Sequence, residues 1–233
     1  MKNLLRILAS CTVLGAVANL NAQNVTVSPT TLTSGFMNWT PAPGDAAGFG
    51  GAGSAGWGVS DLQATFSGST LTLLPNINAY RDNTTSGPGG TPNPYWINAN
   101  GSGANIMDAN VYNETAGLYV NTTLTFSFDV LANTLVSPYT SIAFIKDFAP
   151  DYSSSTEQSV ALTPGVGTIS LLTSANAGDH IQYGFETFGP DANPATVGAL
   201  GSVILAPTPE PSTIALLGVG VLGFLRFRRS RTA

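Results

Sequence analysis

Side chains that carry out catalysis are scarce in this sequence. Its 233 residues contain one histidine, His180, and one cysteine, Cys11. A serine hydrolase needs a base beside its nucleophile, whereas His180 starts an alternating segment directly after a turn, a position that favours a solvent-facing role. Zinc sites need several histidine or cysteine ligands, so the sequence also argues against zinc. We therefore predict that the protein is not an enzyme.

The carboxylates leave two further kinds of chemistry open. Glu114, Glu157 and Glu186 could flank a glycosidic bond, because a glycosidase needs only two acids at a suitable separation. Scattered acids are more often solvated surface, and a small glycoside-active enzyme is the least favoured function. Carboxylate oxygens are hard ligands of the kind that calcium prefers, so calcium binding is favoured over catalysis. Asp147 and Asp151 form a candidate structural Ca²⁺ site. No other cofactor is predicted.

Four aromatic residues carry the one hint of ligand binding. They adjoin two long loops, 41–56 and 84–94, that are rich in glycine, proline and other small residues. Sugar rings stack their C–H faces on flat indole and phenol surfaces, so these side chains are candidate glycan-binding residues: Trp57, Tyr80, Tyr95 and Trp96. The alternative is that they fill the core, as aromatic residues in β-sandwiches usually do.

The segments that must position these residues have the period of β-strands. In 124–130 and 180–187 every second residue is apolar, which places one apolar face on each segment. Those faces consist of Leu124, Phe126, Phe128 and Val130, and of Ile181, Tyr183 and Phe185. Further short strands are predicted, including 56–59 and 95–97, with turn residues between them and no helical period.

Many short strands without intervening helices predict an all-β domain, a two-sheet antiparallel β-sandwich of jelly-roll type. The order of aromatic and apolar positions from Trp57 to Ile97 also resembles the galactose-binding-like sandwiches of carbohydrate modules. We assign residues 23–206, here called the body, to this single domain.

The body is strongly acidic and contains no cysteine. Two basic residues, Arg81 and Lys146, stand against twelve acidic ones, so its net charge is −10. Nucleic acid binding needs clustered lysine and arginine, and a nucleic acid partner is therefore excluded. A neutral glycan, a cation or another protein is the easier partner, and the absence of cysteine rules out disulfide bonds within the body.

The start of the chain has the order of a secretory signal. Lys2 and Arg6 precede an uncharged, mostly apolar run, 7–18. A basic region followed by a short apolar one is typical of a cleavable signal peptide. The segment before Cys11 resembles a lipobox, but the apolar stretch before the cysteine is short and continues past it. We assign residues 1–22 to a signal peptide.

The end of the chain, 207–233, has three parts in a fixed order. A stiff proline-rich segment comes first, and an apolar stretch, 214–225, follows. Its twelve residues would span about 18 Å as a helix, against about 30 Å for a bilayer core; flanking residues extend the predicted transmembrane segment to 212–225. A basic end, 226–231, should stay cytoplasmic as a stop-transfer element and contains Arg226, Arg228, Arg229 and Arg231.

These three parts together resemble the PEP-CTERM sorting signal of Gram-negative bacteria. The resemblance implies that an exosortase recognises a motif made of Pro209, Glu210 and Pro211 and removes the tail. It also implies an association with exopolysaccharide and biofilm, because the family is commonly linked to both. An ordinary C-terminal membrane anchor after a proline linker is the alternative interpretation.

We therefore predict an exported protein that is held transiently in the inner membrane as a precursor and then reaches the cell surface or the extracellular matrix. Its expected partners are an exosortase and extracellular polysaccharide. A purely structural surface protein without a glycan ligand is the alternative, ahead of the glycoside-active enzyme.

Overall fold

The computed structural model describes residues 22–43 and 51–208. The predicted signal peptide up to position 21, and the sorting motif, transmembrane segment and basic end from position 209, lie outside the described residues. The strands are β1 Ala22–Thr26, β2 Ser34–Pro41, β3 Gly53–Gly56, β4 Ala64–Ser67, β5 Thr70–Leu73, β6 Asn105–Ala116, β7 Thr123–Asn133, β8 Thr140–Phe148, β9 Ser155–Ala161, β10 Gly165–Leu172, β11 His180–Pro190 and β12 Val203–Ala206. One helical turn, α1 Asn78–Asp82, and two 3-10 turns, Pro88–Gly90 and Val197–Leu200, complete them.

The strands form two sheets, as the alternating sequence pattern predicts. The first sheet contains β1, β4, β5, β7, β10 and β12, with β7 at its centre. The second has the order β3-β2-β6-β11-β8-β9. Buried residues of both sheets belong to one apolar cluster, so the two-sheet sandwich is confirmed. Across the described ranges, no helix is both long enough and apolar enough to span a membrane.

The first sheet is not purely antiparallel, and that part of the prediction is wrong. Strand β1 runs parallel to β7, from Ala22 opposite Thr123 to Thr26 opposite Ser127. Strand β12 pairs antiparallel with the far end of the same strand. Two short strands thus share one long edge of β7, and the chain between β1 and β7 supplies the long connection that a parallel pair requires.

The main core is built on the predicted apolar faces. Phe126 and Phe128 are 0% and 2% exposed, which confirms the predicted inward face of β7. Phe126 lies 5.1 Å from Phe185 and 5.2 Å from Tyr183, measured between ring centroids. Aromatic pairs at this spacing add stabilisation beyond the area that they bury. The β7 and β11 faces therefore hold the two sheets together.

A second, smaller core lies under the loops and includes a strand that the sequence pattern did not reveal. Met37 of β2 is fully buried and packs in the same cluster as Met107 of β6. The second residue of β2 is glycine and the last is proline, so the alternation of apolar and polar residues is not evident in its sequence. The strands predicted at 56–59 and 95–97 are wrong: Gly56 ends β3 and the rest of the first segment is a loop, whereas the second is a turn that ends in an isolated bridge between Ile97 and Gly103. Both segments pack tryptophans against this second core.

Candidate functional site

A cleft of about 370 Å³ opens where α1 meets the loops after β3 and before β6. We call it the Trp57–Trp96 cleft after the two indoles that line it. Both indoles are half-buried. Each packs against the second core, which fixes its position, and also lines the cleft. The lining consists of Gly56, Trp57, Gly58, Asp61, Asn78, Ala79, Asp82, Asn83 and Trp96.

The position of Trp57 depends on a close approach between its loop and β2. The Trp57 N–H donates to the carbonyl oxygen of Gly35 at 3.0 Å. A Cβ atom at position 35 would lie 2.4 Å from the Trp57 carbonyl oxygen and 2.7 Å from Leu62 Cδ1. Only glycine leaves the space for this contact, and the loop therefore brings Trp57 to one wall of the cleft.

Two neighbouring aromatic rings fix the position of Trp96. Its ring lies 5.5 Å from that of Trp39 at 54° and 4.8 Å from that of Tyr95 at 73°. The Trp39 indole N–H donates to the Tyr95 hydroxyl at 2.9 Å, which ties these two rings together. Asn93 closes the turn, since its carbonyl oxygen accepts from the Trp96 N–H at 3.0 Å. The Trp96 indole is thus held by its neighbours before any ligand binds.

Amides and a carboxylate form the polar part of the cleft. Asn78 is 5% exposed; its Nδ2 donates to Asp61 Oδ1 at 3.1 Å, and its Oδ1 accepts from Gln63 Nε2 at 3.0 Å. Asn76 Nδ2 donates to the Asp61 carbonyl oxygen at 2.8 Å. Because these bonds fix the side chain of Asn78 and the backbone of Asp61, the polar groups are preorganised beside the indoles.

The rim of the cleft is formed by the end of α1. Arg81 Nε donates to Asp82 Oδ1 at 2.7 Å, and Nη2 donates to Oδ2 at 3.2 Å. The hydrogen bond from Arg81 lowers the pKa of Asp82, so this carboxylate is ionised at neutral pH. Asn83 is fixed as well, because its Nδ2 donates to the Ala79 carbonyl oxygen at 2.7 Å.

Two of the four candidate aromatic residues line the cleft and two do not. Tyr80 is 7% exposed; its hydroxyl donates to the Gly101 carbonyl oxygen at 2.9 Å and accepts from Asn193 Nδ2 at 3.1 Å. Tyr95 packs edge-to-face against Trp96. Sequence reasoning missed the polar lining residues, although amide-rich sequence on either side of Tyr80 was a usable signal for them: Asp61, Asn78, Asp82 and Asn83.

The three glutamates considered for glycoside chemistry are not together in the cleft. They lie on the strands of the second sheet, where Lys146 Nζ is 3.8 Å from Glu157 Oε2 and 3.7 Å from Glu186 Oε2. Burial raises the pKa of Glu186 to about 7, and Asp108 adds to the effect. Glu114 accepts a hydrogen bond from Tyr152 at 2.8 Å. These carboxylates therefore belong to ion-pair and hydrogen-bond contacts of the sheet.

The remaining titratable candidates also have local partners. The His180 ring stacks on that of Tyr152 at 4.5 Å. Asp147 Oδ2 accepts from the Ser174 N–H at 2.7 Å, whereas Asp151 is exposed and accepts from Ser153 Oγ at 2.6 Å. The two candidate calcium ligands thus share no hydrogen-bond partner. Within the part of the chain that the structure describes, no three His, Cys, Asp or Glu side chains cluster as a metal site.

Comparison with known proteins gives a match at the C-terminal end. Residues 207–230 match the family model described as the PEP-CTERM protein-sorting motif. The tail is a PEP-CTERM sorting motif. No curated protein and no solved structure matches the chain, so the resemblance to galactose-binding-like sandwiches is not confirmed. The PEP-CTERM motif identifies an exported protein whose processing partner is an exosortase and whose destination is the cell surface.

Proposed function

We propose that this exported protein binds neutral glycan chains in the Trp57–Trp96 cleft and is thereby associated with extracellular polysaccharide, without catalysing a reaction. The observation that carries the proposal is the pair of half-buried indoles in one cleft, next to side-chain oxygens of Asp61 and Asn78. Apolar ring surface beside a few fixed polar groups is the usual composition of a small-ligand site.

The chemistry of the lining favours a sugar. Indole faces offer flat apolar surface for the C–H face of a pyranose, and carboxylate and amide oxygens accept hydrogen bonds from hydroxyl groups. The acidic body favours an uncharged chain over an anionic one, because its net charge of −10 repels negative polymers. A neutral glycan satisfies both conditions.

The acids of the cleft support binding without catalysis. A glycosidase needs one protonated carboxyl group as general acid. Arg81 lowers the pKa of Asp82, which keeps this group ionised, and Asp61 Oδ1 already accepts a hydrogen bond from Asn78. The ionised Asp82 is therefore unsuited to the role of general acid.

The finer topology and the route to the surface belong to the same proposal. Consecutive strands alternate between the two sheets except in the pairs β2–β3, β4–β5 and β8–β9, an order that supports a jelly-roll-like sandwich. Residues 1–22 would direct export as a signal peptide, and 212–225 would hold the precursor in the inner membrane. The arginines at 226–231 would stay on the cytoplasmic side until the exosortase cuts.

Processing of the tail is tested with an epitope-tagged chain in the native host and in a host without exosortase. Glu210→Ala should block processing and leave membrane insertion intact, because position 210 lies outside the apolar stretch. Removal of the four arginines should instead weaken retention in the membrane. The same fragment size in both hosts, with Glu210→Ala indistinguishable from wild type, would reduce the tail to a membrane anchor.

Glycan binding is tested on a glycan array with the purified protein, with and without calcium. We expect neutral glycans to bind the wild type and to be lost with Trp96→Ala. Phe188→Ala is the matched control, because Phe188 is an exposed aromatic residue, 43% accessible, that does not line the cleft. Equal binding by wild type, Trp96→Ala and Phe188→Ala would mean that glycans do not bind in the Trp57–Trp96 cleft and would refute the proposal.

A further inference from the structure

Two aspartates that are distant in sequence meet at one end of the sandwich. Asp147 lies near the end of β8, and Asp179 directly precedes β11. The register of β8 and β11 pairs Asp147 with Ile181, which brings the segment before β11 beside the end of β8. Asp147 is 7% exposed and Asp179 is 9% exposed. Both carboxyl groups are therefore removed from solvent at the same place.

Donors from the loop between β10 and β11 occupy three of the four carboxyl oxygens. The Ser174 N–H donates to Asp147 Oδ2 at 2.7 Å. Asn176 Nδ2 donates to Asp179 Oδ1 at 2.6 Å, and the Ser174 hydroxyl donates to Asp179 Oδ2. The fourth oxygen, Asp147 Oδ1, is buried and has no hydrogen-bond partner among the described residues. A buried oxygen without a donor needs an explanation, and a bound ion supplies one.

The electrostatics of the pair require a positive charge or a shared proton. Burial raises the pKa of Asp147, and the nearby carboxyl group of Asp179 raises it further. The neighbouring basic side chains have other partners: Lys146 lies within 4 Å of two glutamates, and His180 Nδ1 is 3.4 Å from Glu114. Two buried carboxylates in contact are costly without a counter-charge.

Among the common divalent cations, calcium suits this pair of carboxyl groups better than magnesium. A depression next to Asp179 is lined in part by Tyr119 and Val120. Calcium accepts irregular geometry and carbonyl ligands, whereas magnesium demands near-ideal octahedral geometry and retains its waters.

We propose that Asp147 and Asp179 bind a calcium ion that fastens the loop between β10 and β11 to the end of β8. Asp147 Oδ1 is the oxygen that is free to coordinate the ion, and Asp179 is the second carboxylate ligand. Oxygens of Ser174 and Asn176, which hydrogen-bond to Asp179, are further candidate ligands. This site keeps one residue of the sequence-predicted pair and replaces Asp151 by Asp179. It is independent of the glycan cleft, because none of its residues lines that cleft.

The test uses the purified full-length chain in mild detergent, with calcium chloride and terbium chloride as probes. Thermal unfolding at pH 7 should shift upward by about 5–10 °C at a calcium concentration 100 times the dissociation constant. Terbium luminescence excited through tyrosine should appear and be quenched by added calcium, because Tyr119 lines the adjoining depression. Magnesium at the same concentration should produce a much smaller shift.

Variants separate the site from non-specific binding to an acidic protein. Asp147→Asn should abolish the calcium shift and the luminescence, whereas Asp151→Asn, an exposed carboxylate four residues away, should keep both. Terbium binding to the wild type is informative even if Asp147→Asn fails to fold. A folded wild type with no calcium shift and no calcium-sensitive luminescence would mean that the pair shares a proton, and equal loss in Asp151→Asn would also overturn the site.

Discussion

Replacement of Asp191 by asparagine should change how the stability of the protein depends on pH. Asp191 follows β11 and is 2% exposed; neither of its carboxyl oxygens makes a well-formed hydrogen bond among the described residues, although the backbone N–H groups of Tyr80 and Ala192 lie near them and oppose the effect of burial. Burial raises its pKa to about 8 from an ordinary value of 3.8. The titratable groups that face it are Asp82 and Tyr139, and neither is a cation that would favour the ionised form.

The direction in which stability changes with pH follows from proton linkage. Since the folded state holds the Asp191 proton more tightly than the unfolded state, this proton contributes its full stabilisation below about pH 4. The contribution falls as the pH rises and is gone above about pH 8. The difference of about four between the two pKa values corresponds to roughly 6 kcal/mol at about 1.4 kcal/mol per unit. Asp191→Asn keeps the shape of the side chain and removes the titration.

The assay is urea unfolding followed by tryptophan fluorescence at pH 5, 6, 7 and 8. The free energy of unfolding of Asp191→Asn minus that of wild type should rise by about 1.4 kcal/mol per pH unit from pH 5 to pH 7 and less steeply towards pH 8. Asp151→Asn is the control: its carboxylate is exposed and has a lowered pKa because of hydrogen bonds from Ser153, so its difference from wild type should stay flat. Parallel pH profiles for wild type and Asp191→Asn would refute the reasoning.

Two further substitutions test the core and the loop that carries the cleft. Phe128→Ala should lower the free energy of unfolding by about 3–5 kcal/mol in urea titration. Leu131→Ala truncates a 55% exposed side chain of the same strand and should change the free energy of unfolding by less than about 0.5 kcal/mol. Similar losses in the two variants would contradict the assigned strand face. Gly35→Ala should cost about 1–3 kcal/mol and shift the emission of Trp57, because its Cβ atom would lie 2.4 Å from the Trp57 carbonyl oxygen. Gly56→Ala has only a 4.0 Å contact in the neighbouring strand and should do neither, so equal effects would refute the close-approach argument.

The long central strands could be predicted from sequence because each buries one face. The alternation around Phe126 and around Phe185 is uninterrupted, and a slip of one residue would expose the whole set. Strand β2 was missed because Gly35 and Pro41 interrupt that alternation at its two ends. The glycine is there for the contact with Trp57, a tertiary requirement with no local signature.

The candidate site was predictable only in its aromatic half. Trp57 and Trp96 stand out by residue type and by their position beside loops. The polar half depends on contacts such as that between Asn78 and Asp61, which are 17 residues apart, and on a single helical turn too short to give a helical period. The same limit applies to the calcium pair, because only the register of β8 with β11 brings Asp179 beside Asp147.

The most direct test of the account is calorimetric titration of the purified protein with neutral exopolysaccharide from its native host. Wild type should bind, and Trp57→Ala should bind at least about tenfold more weakly, which corresponds to the loss of about 1.4 kcal/mol of stacking. The control, Phe188→Ala, should bind like wild type, because its ring lies outside the cleft. Unchanged affinity in Trp57→Ala, with the variant folded, would contradict the assignment of the cleft as the glycan site.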